Sequence, residues 1–321
     1  MATYNASIGR TETGTGIGSL IPDAERKEIL KGVEAKSVVL NRARKITMST
    51  KVERQPVLSA LPKAYWVNGD TGHKQTTKAE WKNKFLTAEE LAVIVPVPDA
   101  VRDDAAYDIF GEVKPLLVEA IAAAFDAAVL FGTEAPATYE ESLAETAKAA
   151  GNFVVQGTNV DIAEDINQVM AKVEDDGFTV NGFAARSRMK SKLRGLRDKN
   201  NQLLFNPGLV AGTPNELYGE PVEFDADQNG VWVDEGVNLF AGDWAKLVAG
   251  IRQDLTFQMF TEGVISDDDG KVVLNLMQDD SSALRVVARY AFTVANPISR
   301  RAPVEAGRYP FAYLDDGSEV S

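Results

Sequence analysis

Cysteine is absent from the chain, and histidine occurs once, as His73. The first absence removes disulfides, thiolate nucleophiles and zinc-thiolate sites together, so the chain is expected to fold in a reducing cytoplasm. The second leaves little for proton transfer at neutral pH. His73 follows Gly72 in a polar stretch with no G-x-S-x-G nearby, and a Ser-His-Asp arrangement needs an imidazole clamped by an acid. No apolar run reaches the roughly 18 residues of a membrane span, and the start Met1-Ala-Thr-Tyr-Asn has neither the basic nor the apolar region of a secretory signal, so the sequence reads as a soluble protein. Positive charge is also in short supply. Lys and Arg number 34 against 47 Asp and Glu, a net charge of -13. Affinity for phosphates comes from clustered cations, so this balance disfavours nucleic acid as a direct ligand, and solubility explains it equally well.

What is present is an ordinary globular composition over 321 residues, 45% apolar and 25% charged, enough for one elaborated unit or two intertwined subdomains. Residues 1–22 hold Gly14, Gly16 and Gly18 among Ser and Thr and read as a flexible arm. Gly14-Thr-Gly-Ile-Gly18 misses the G-x-G-x-x-G spacing and has no apolar strand before it, so it is not a dinucleotide loop. Leu20-Ile-Pro-Asp-Ala-Glu opens a helix with Pro22 at its start, and Ser37–Met48 leads into extended structure.

From Lys51 to Lys84 the apolar content falls, and Gly69, Asp70, Thr71 and Gly72 mark the tip of a long hairpin-like excursion. A loop of this length is unusual in a compact domain and makes sense lying on a neighbouring subunit. Lys74, Lys78, Lys82 and Lys84, with Trp81 among them, make it basic on an acidic chain. These cations are expected to meet acidic surface on a neighbour, although a solvated loop would look the same. Glu90–Pro98 returns as a strand that Pro96 and Pro98 confine to an edge or an end. Asp99 caps a short helix. A longer one over about 105–131 carries Ile109, Val113, Leu116, Leu117, Ala120, Ala124, Phe125 and Ala128 on one stripe, with a kink expected at Pro115 and a stop at Gly132.

Residues 133–160 read as a surface loop, Asp161–Asp175 as a helix, Phe178–Ala185 as a strand and Arg186–Lys199 as a basic helix, which together indicate an α/β subdomain reaching Trp244. Val231-Trp-Val is expected as a short strand, and Leu247–Asn296 as three antiparallel strands with a turn at Asp267–Gly270. Asp225-Ala-Asp-Gln-Asn-Gly230 imitates the opening of a calcium loop, but its twelfth position is Gly236, so a turn on Asn229-Gly230 is the better reading. A metal-binding enzyme, like a cytoplasmic hydrolase, therefore survives only as the alternative from another class. No repeat of solenoid period is seen.

The order of these features, with the phrases Leu20-Ile-Pro, Lys74–Trp81 before Leu91-Ala-Val-Ile-Val-Pro-Val, Leu130-Phe-Gly132, Tyr218-Gly-Glu-Pro-Val, Asn275-Leu-Met-Gln and Ala283-Leu-Arg-Val-Val-Ala-Arg289, resembles the tailed-bacteriophage major capsid proteins from Leu20 to about Pro297. The resemblance implies an α+β chain of the Hong-Kong-97 type and divides it. An N-terminal arm would take 1–24, and an extended loop 51–94. A peripheral domain with spine helix and long antiparallel sheet would take 25–50, 95–154 and 246–295. An axial α/β domain with the C-terminal tail would take 155–245 and 296–321. It also implies hexamers and pentamers of an icosahedral head in the virion, assembled in the host cytoplasm. Its partners would be a portal, a separate scaffold or decoration proteins, and DNA enclosed without sequence-specific binding. Some such proteins weld an extended-loop lysine to a neighbour's asparagine with help from a glutamate. Lys74 falls near the lysine position, but Asp279 and Val286 stand where the asparagine and glutamate belong, so crosslinking is expected to be lost. The short segment before Leu20 is expected to leave guidance of assembly to a separate scaffold or to the shell contacts. An encapsulin-type compartment shell is the alternative of the same fold. No cofactor is implied.

Overall fold

The computed structural model describes residues 37–317 apart from 68–72, 105–108, 160, 196–215, 226–230, 233–235 and 268. The expected arm and the Leu20-Ile-Pro helix lie outside these residues, as does the turn at Asn229-Gly230. In chain order the first elements are α1 (Val38–Arg42), β1 (Arg44–Thr47), β2 (Val52–Ala60), β3 (Glu80–Thr87), β4 (Glu89–Pro98), α2 (Asp99–Asp104) and α3 (Ile109–Leu130). There follow α4 (Leu143–Ala150), β5 (Phe153–Val155), α5 (Ile162–Asp175), β6 (Gly182–Arg186), α6 (Ser187–Arg194), β7 (Glu216–Leu217), β8 (Glu220–Asp225) and β9 (Val237–Gly242). The chain ends through β10 (Leu247–Phe260), β11 (Val264–Ser266), β12 (Val272–Asn275), β13 (Ser281–Val294) and β14 (Phe311–Asp315).

One sheet runs β1-β10-β13-β4, antiparallel except for β1 on β10. Its central strand β13 is buried from end to end apart from the half-buried Arg285 and Arg289, because both of its faces are covered. Val286, Ala288, Tyr290 and Phe292 meet Leu117, Ile121 and Phe125 of α3, while Ala291 packs with Met48, Leu86 and Val248. That double coverage is why the sequence alternates imperfectly here. β4 takes the edge, where prolines cost no ladder bond if their amides would face outward. The span read as three strands is two long strands bridged by the small β11–β12 hairpin, whose turn places Gly270 at φ +78°. A hairpin this short returns the chain to β13 without entering the main sheet.

α3 buries Leu117, Val118, Ile121, Ala122, Phe125 and Val129, a stripe at helical spacing, with the Phe125 and Tyr290 rings 5.2 Å apart. The helix is continuous through Pro115, which removes one amide donor near its start. Its buried Asp126 accepts from Ser37 Oγ at 2.5 Å and from the Val38 amide at 2.8 Å, fastening the start of α1 to the spine.

The second sheet runs β5-β14-β9-β6-β8-β7 and mixes parallel with antiparallel pairs. α5 and α6 cover one face through Ile166, Val169, Val173, Met189 and Leu193. The other face shares the α3 core, with Phe131 packed edge-on against Trp232 at 5.3 Å. Two sequence readings are corrected here. Residues 133–160 are not only loop. Ser142 and Glu145 cap α4 reciprocally, Gly151 closes it at φ +77°, and Leu143 and Ala147 are buried. Val231 and Trp232 lie in a turn, not a strand, and are apolar because the turn itself is buried against Phe131 and Phe240.

Candidate assembly surface

β2 and β3 pair from Val52↔Thr87 to Ala60↔Glu80 as a two-stranded ribbon, and β4 then enters the body sheet at Glu89. Residues 89–94, which the sequence reading gave to the excursion, are thus body strand, and the projecting arm closes at Thr87. An isolated two-stranded ribbon is marginal in water, so the arm depends on its root. Leu86 provides it, fully buried against Met48, Val248 and Ala291. Gly250 makes the close approach possible, since a Cβ there would collide with Met48 Sδ and crowd Leu86 Cδ2 at 3.2 Å.

Polar contacts hold the same root from the sides. Lys84 Nζ is 3.0 Å from Glu140 Oε1, whose other oxygen accepts from Thr293 Oγ1 at 2.9 Å. Lys51 and the Thr138 hydroxyl meet Glu89, and the Thr138 bond is the main cause holding that carboxyl below the ordinary 4.5. A strap of residues 296–308 lies along the ribbon: the Ile298 amide donates to Leu58 O at 2.9 Å, Arg300 Nη2 to Pro62 O at 3.0 Å, and Lys82 Nζ reaches Glu305 at 3.0 Å. Arg308 gives this strap its shape. Only 3% exposed, its guanidinium donates to the carbonyls of Asn296, Pro297, Ala302 and Pro303 at 3.0 to 3.2 Å.

Beyond the ribbon, residues 61–67 and 73–79 belong to no helix or ladder. Tyr65 Oη donates to Gln75 O at 2.7 Å and accepts from the Gln75 amide, tying the two branches. Trp66 is 101% exposed, Trp81 66% and Phe85 51%, so the arm carries large apolar rings that the other described residues leave in water. The four lysines divide. Lys82 and Lys84 are engaged by acids of their own chain, whereas Lys74 is exposed and Lys78, just before β3, has Glu80 at 3.5 Å as its one ion-pair partner among the described residues. Trp66, Phe85 and the strap contacts were missed as site residues by the sequence reading. The aromatic pair Tyr65-Trp66 within a basic excursion was the signal available for Trp66.

Asp279 lies exposed in the turn from β12 to β13, where its Oδ2 accepts from the Asn275 amide at 2.9 Å. Val286 is fully buried on β13, opposite Phe257 and Val93. A second exposed apolar set surrounds that turn and also went unread: Val264, Val272, Val273 and Met277 on and beside the β11–β12 hairpin. His73 is exposed on the arm.

Residues 18–299 match the model of the Phage capsid family. Over 242 residues the chain is 30% identical to the major capsid protein of Staphylococcus phage 80alpha, covering 73% of this chain and 69% of that protein. A solved structure from Microbacterium phage Oxtober96 superimposes with a TM-score of 0.76 at 35% identity, covering 98% of this chain and 96% of that one. The capsid of a native GTA particle shares the fold at a TM-score of 0.59 and 16% identity, covering 95% of this chain and 94% of that one.

Proposed function

The chain belongs to the phage capsid family as a shell-forming major capsid protein, and we propose that its copies build hexamers and pentamers of an icosahedral tailed-phage head around double-stranded DNA. Capsid relatives favour this over the encapsulin-type alternative, and the family is structural rather than enzymatic. Its place is the capsid of the virion. The subunit's work on this reading is mechanical: a stiff body meets its copies, while the arm reaches across a boundary between them.

The observation that supports this most is the contrast within the arm, rigidly held at Leu86 yet presenting Trp66 and Trp81 to solvent. Apolar rings fixed in water at the end of an ordered ribbon gain free energy only when another surface covers them. Lys74 and Lys78 accompany them as the cations left for a neighbour's acids, whereas Lys82 and Lys84 keep the arm's angle through Glu305 and Glu140. Portal and scaffold proteins would be further partners of such a shell.

The shell is held without an isopeptide weld on this reading. A carboxylate such as Asp279 is a poor electrophile for amine attack at neutral pH, and the buried Val286 can neither take a proton nor reach solvent. Electron microscopy of the purified protein tests the proposal: wild type should give closed shells that run as single chains on denaturing gels. Replacing residues 63–77 with a short glycine link should leave a folded subunit that makes none. Closed shells from the shortened chain would refute the arm's role, and ladders surviving detergent would refute the absence of crosslinks.

A further inference from the structure

Arg186 and helix α6 together carry Arg186, Arg188, Lys190, Lys192 and Arg194 in nine residues with no carboxylate among them. Elsewhere in the body, cations meet acids: Arg42 with Glu223 at 3.0 Å, Arg289 with Glu90 at 2.6 Å and Arg301 with Asp175 at 2.7 Å. None of these five, Arg186 at the end of β6 and four on α6, has an ion pair among the described residues. Lys190 lies over the Phe224 ring at 5.0 Å, Lys192 donates to the Gln156 amide oxygen at 2.9 Å, and Arg194 Nε donates to the Lys190 carbonyl at 3.2 Å. Met189 and Leu193 are fully buried and fix the helix on the sheet, which leaves Arg188 and Arg194 exposed and the other three cations half-buried. Crowding of like charge is felt at Lys192, whose pKa is lowered by burial first and then by Arg188 and Arg186, with Asp316 opposing.

Five cations without an ion pair among the described residues, on a chain of net charge -13, call for an external anion. A second copy of the chain would bring a surface with both signs interspersed, so part of its contact would repel. The backbone of a duplex is a lattice of one sign, and the two-residue spacing of these cations sets Arg188 with Lys192 on one flank of the helix's outer face and Lys190 with Arg194 on the other, so that a phosphate lattice can meet both. We propose that α6 faces the lumen of the shell and contacts the phosphate backbone of enclosed duplex nucleic acid through Arg188, Lys190 and Arg194. The inference rests on the shell reading above and adds a polarity to it, since one face of the second sheet is assigned to the inside. The contact is assigned to the backbone, and phosphate contacts carry no sequence information. In the single subunit the overall negative charge keeps it weak. In a closed shell the same contact is repeated by every copy, so many weak contacts act on one duplex.

The test pairs Arg188→Gln, Lys190→Gln and Arg194→Gln in one variant, with a control that removes three cations elsewhere, at Lys114, Lys148 and Lys271. Binding of a short labelled duplex to the purified protein is measured at 50 and 200 mM salt, and shells are imaged in parallel. Wild type should bind at 50 mM and lose at least about tenfold by 200 mM, as release of several counterions requires. The α6 variant should lose about tenfold at 50 mM, the control much less, and both should still form shells. Equal losses in variant and control would reduce the effect to net charge and overturn the assignment. Failure of the α6 variant to form shells, with its duplex binding unchanged, would place the helix against a second copy and also overturn it. Absence of shells from wild type would instead defeat the shell reading, and the lumenal contact with it.

Discussion

β13 and the arm ribbon are both extended, yet they solve opposite problems. In β13 every position except Arg285 and Arg289 is buried, between α3 on one side and Met48, Leu86 and Val248 on the other. In the ribbon, Val52, Trp81 and Phe85 are exposed, and only Val57 and Leu86 are buried. The first region draws its stability from its own chain. The second takes its shape from its root and leaves apolar rings to be covered by something else. The same secondary structure therefore serves as core in one place and as connector in the other, and the difference lies in what packs on each face.

The sharpest way to break that contrast is to place charge inside the body strand. Val286→Glu would restore the side chain that crosslinking relatives are expected to use, but in a fully buried position. It should destabilise the subunit by about 4 kcal/mol or more in denaturant unfolding, with no crosslinked bands on gels. A smaller loss would mean the strand can open there. Next in size is Arg308→Ala. Removing the guanidinium leaves four carbonyls with one partner fewer, and a cost of about 2–4 kcal/mol is expected, with the strap 296–308 exchanging amide hydrogens faster.

At the arm's end the balance should reverse. Trp66→Ala removes a ring fully exposed in the single chain, so the melting transition should move by no more than about 0.5 kcal/mol while the yield of closed shells falls. Unchanged shell yield would return Trp66 to the status of an ordinary exposed residue. Lys82→Gln should cost less than about 1 kcal/mol, since its pairing with Glu305 is half exposed, and raising the salt should shrink the difference from wild type. The smallest effect belongs to pH. Glu89 titrates below 4.5 in the folded chain, so its tie to Thr138 and Lys51 contributes stability above that value and loses it as pH falls through the lower folded value. Glu89→Gln should flatten the pH dependence of stability in that acid range and leave the neutral range little changed.

Much of the body was legible in the residues because one-dimensional periodicity and three-dimensional burial coincide there. The spine helix is legible from its periodicity, and Leu117, Phe125 and Ala128 of the expected stripe are buried, although Leu116, Ala120 and Ala124 are exposed and Ile121 and Val129 take their place. Pro96 and Pro98, which mark an edge or a strand end, lie on the edge strand. Where the two do not coincide the reading slipped. Val231 and Trp232 are apolar because a turn is buried, and α4 is short enough that Leu143 and Ala147 alone mark its inner face. The candidate surface was legible as a composition, basic with scattered aromatics, but not as a division of labour. Nothing in the spacing of Lys82, Lys84, Glu140 and Glu305 announces that they pair, because those pairs span from 56 to 223 positions of chain.

By itself, then, the sequence determined the order of elements, the spine helix, the existence of a polar excursion too long for a compact domain, and the capsid resemblance that element order carries. Tertiary structure alone decided where the arm ends, which lysines it keeps for its own chain, and that Val286 is sealed in the core while Trp66 stands in water. The physical reason is range. Helical and strand periodicity, capping and turn chemistry act over a few residues and are written locally, whereas exposure and ion pairing depend on which distant segments the fold brings to each face.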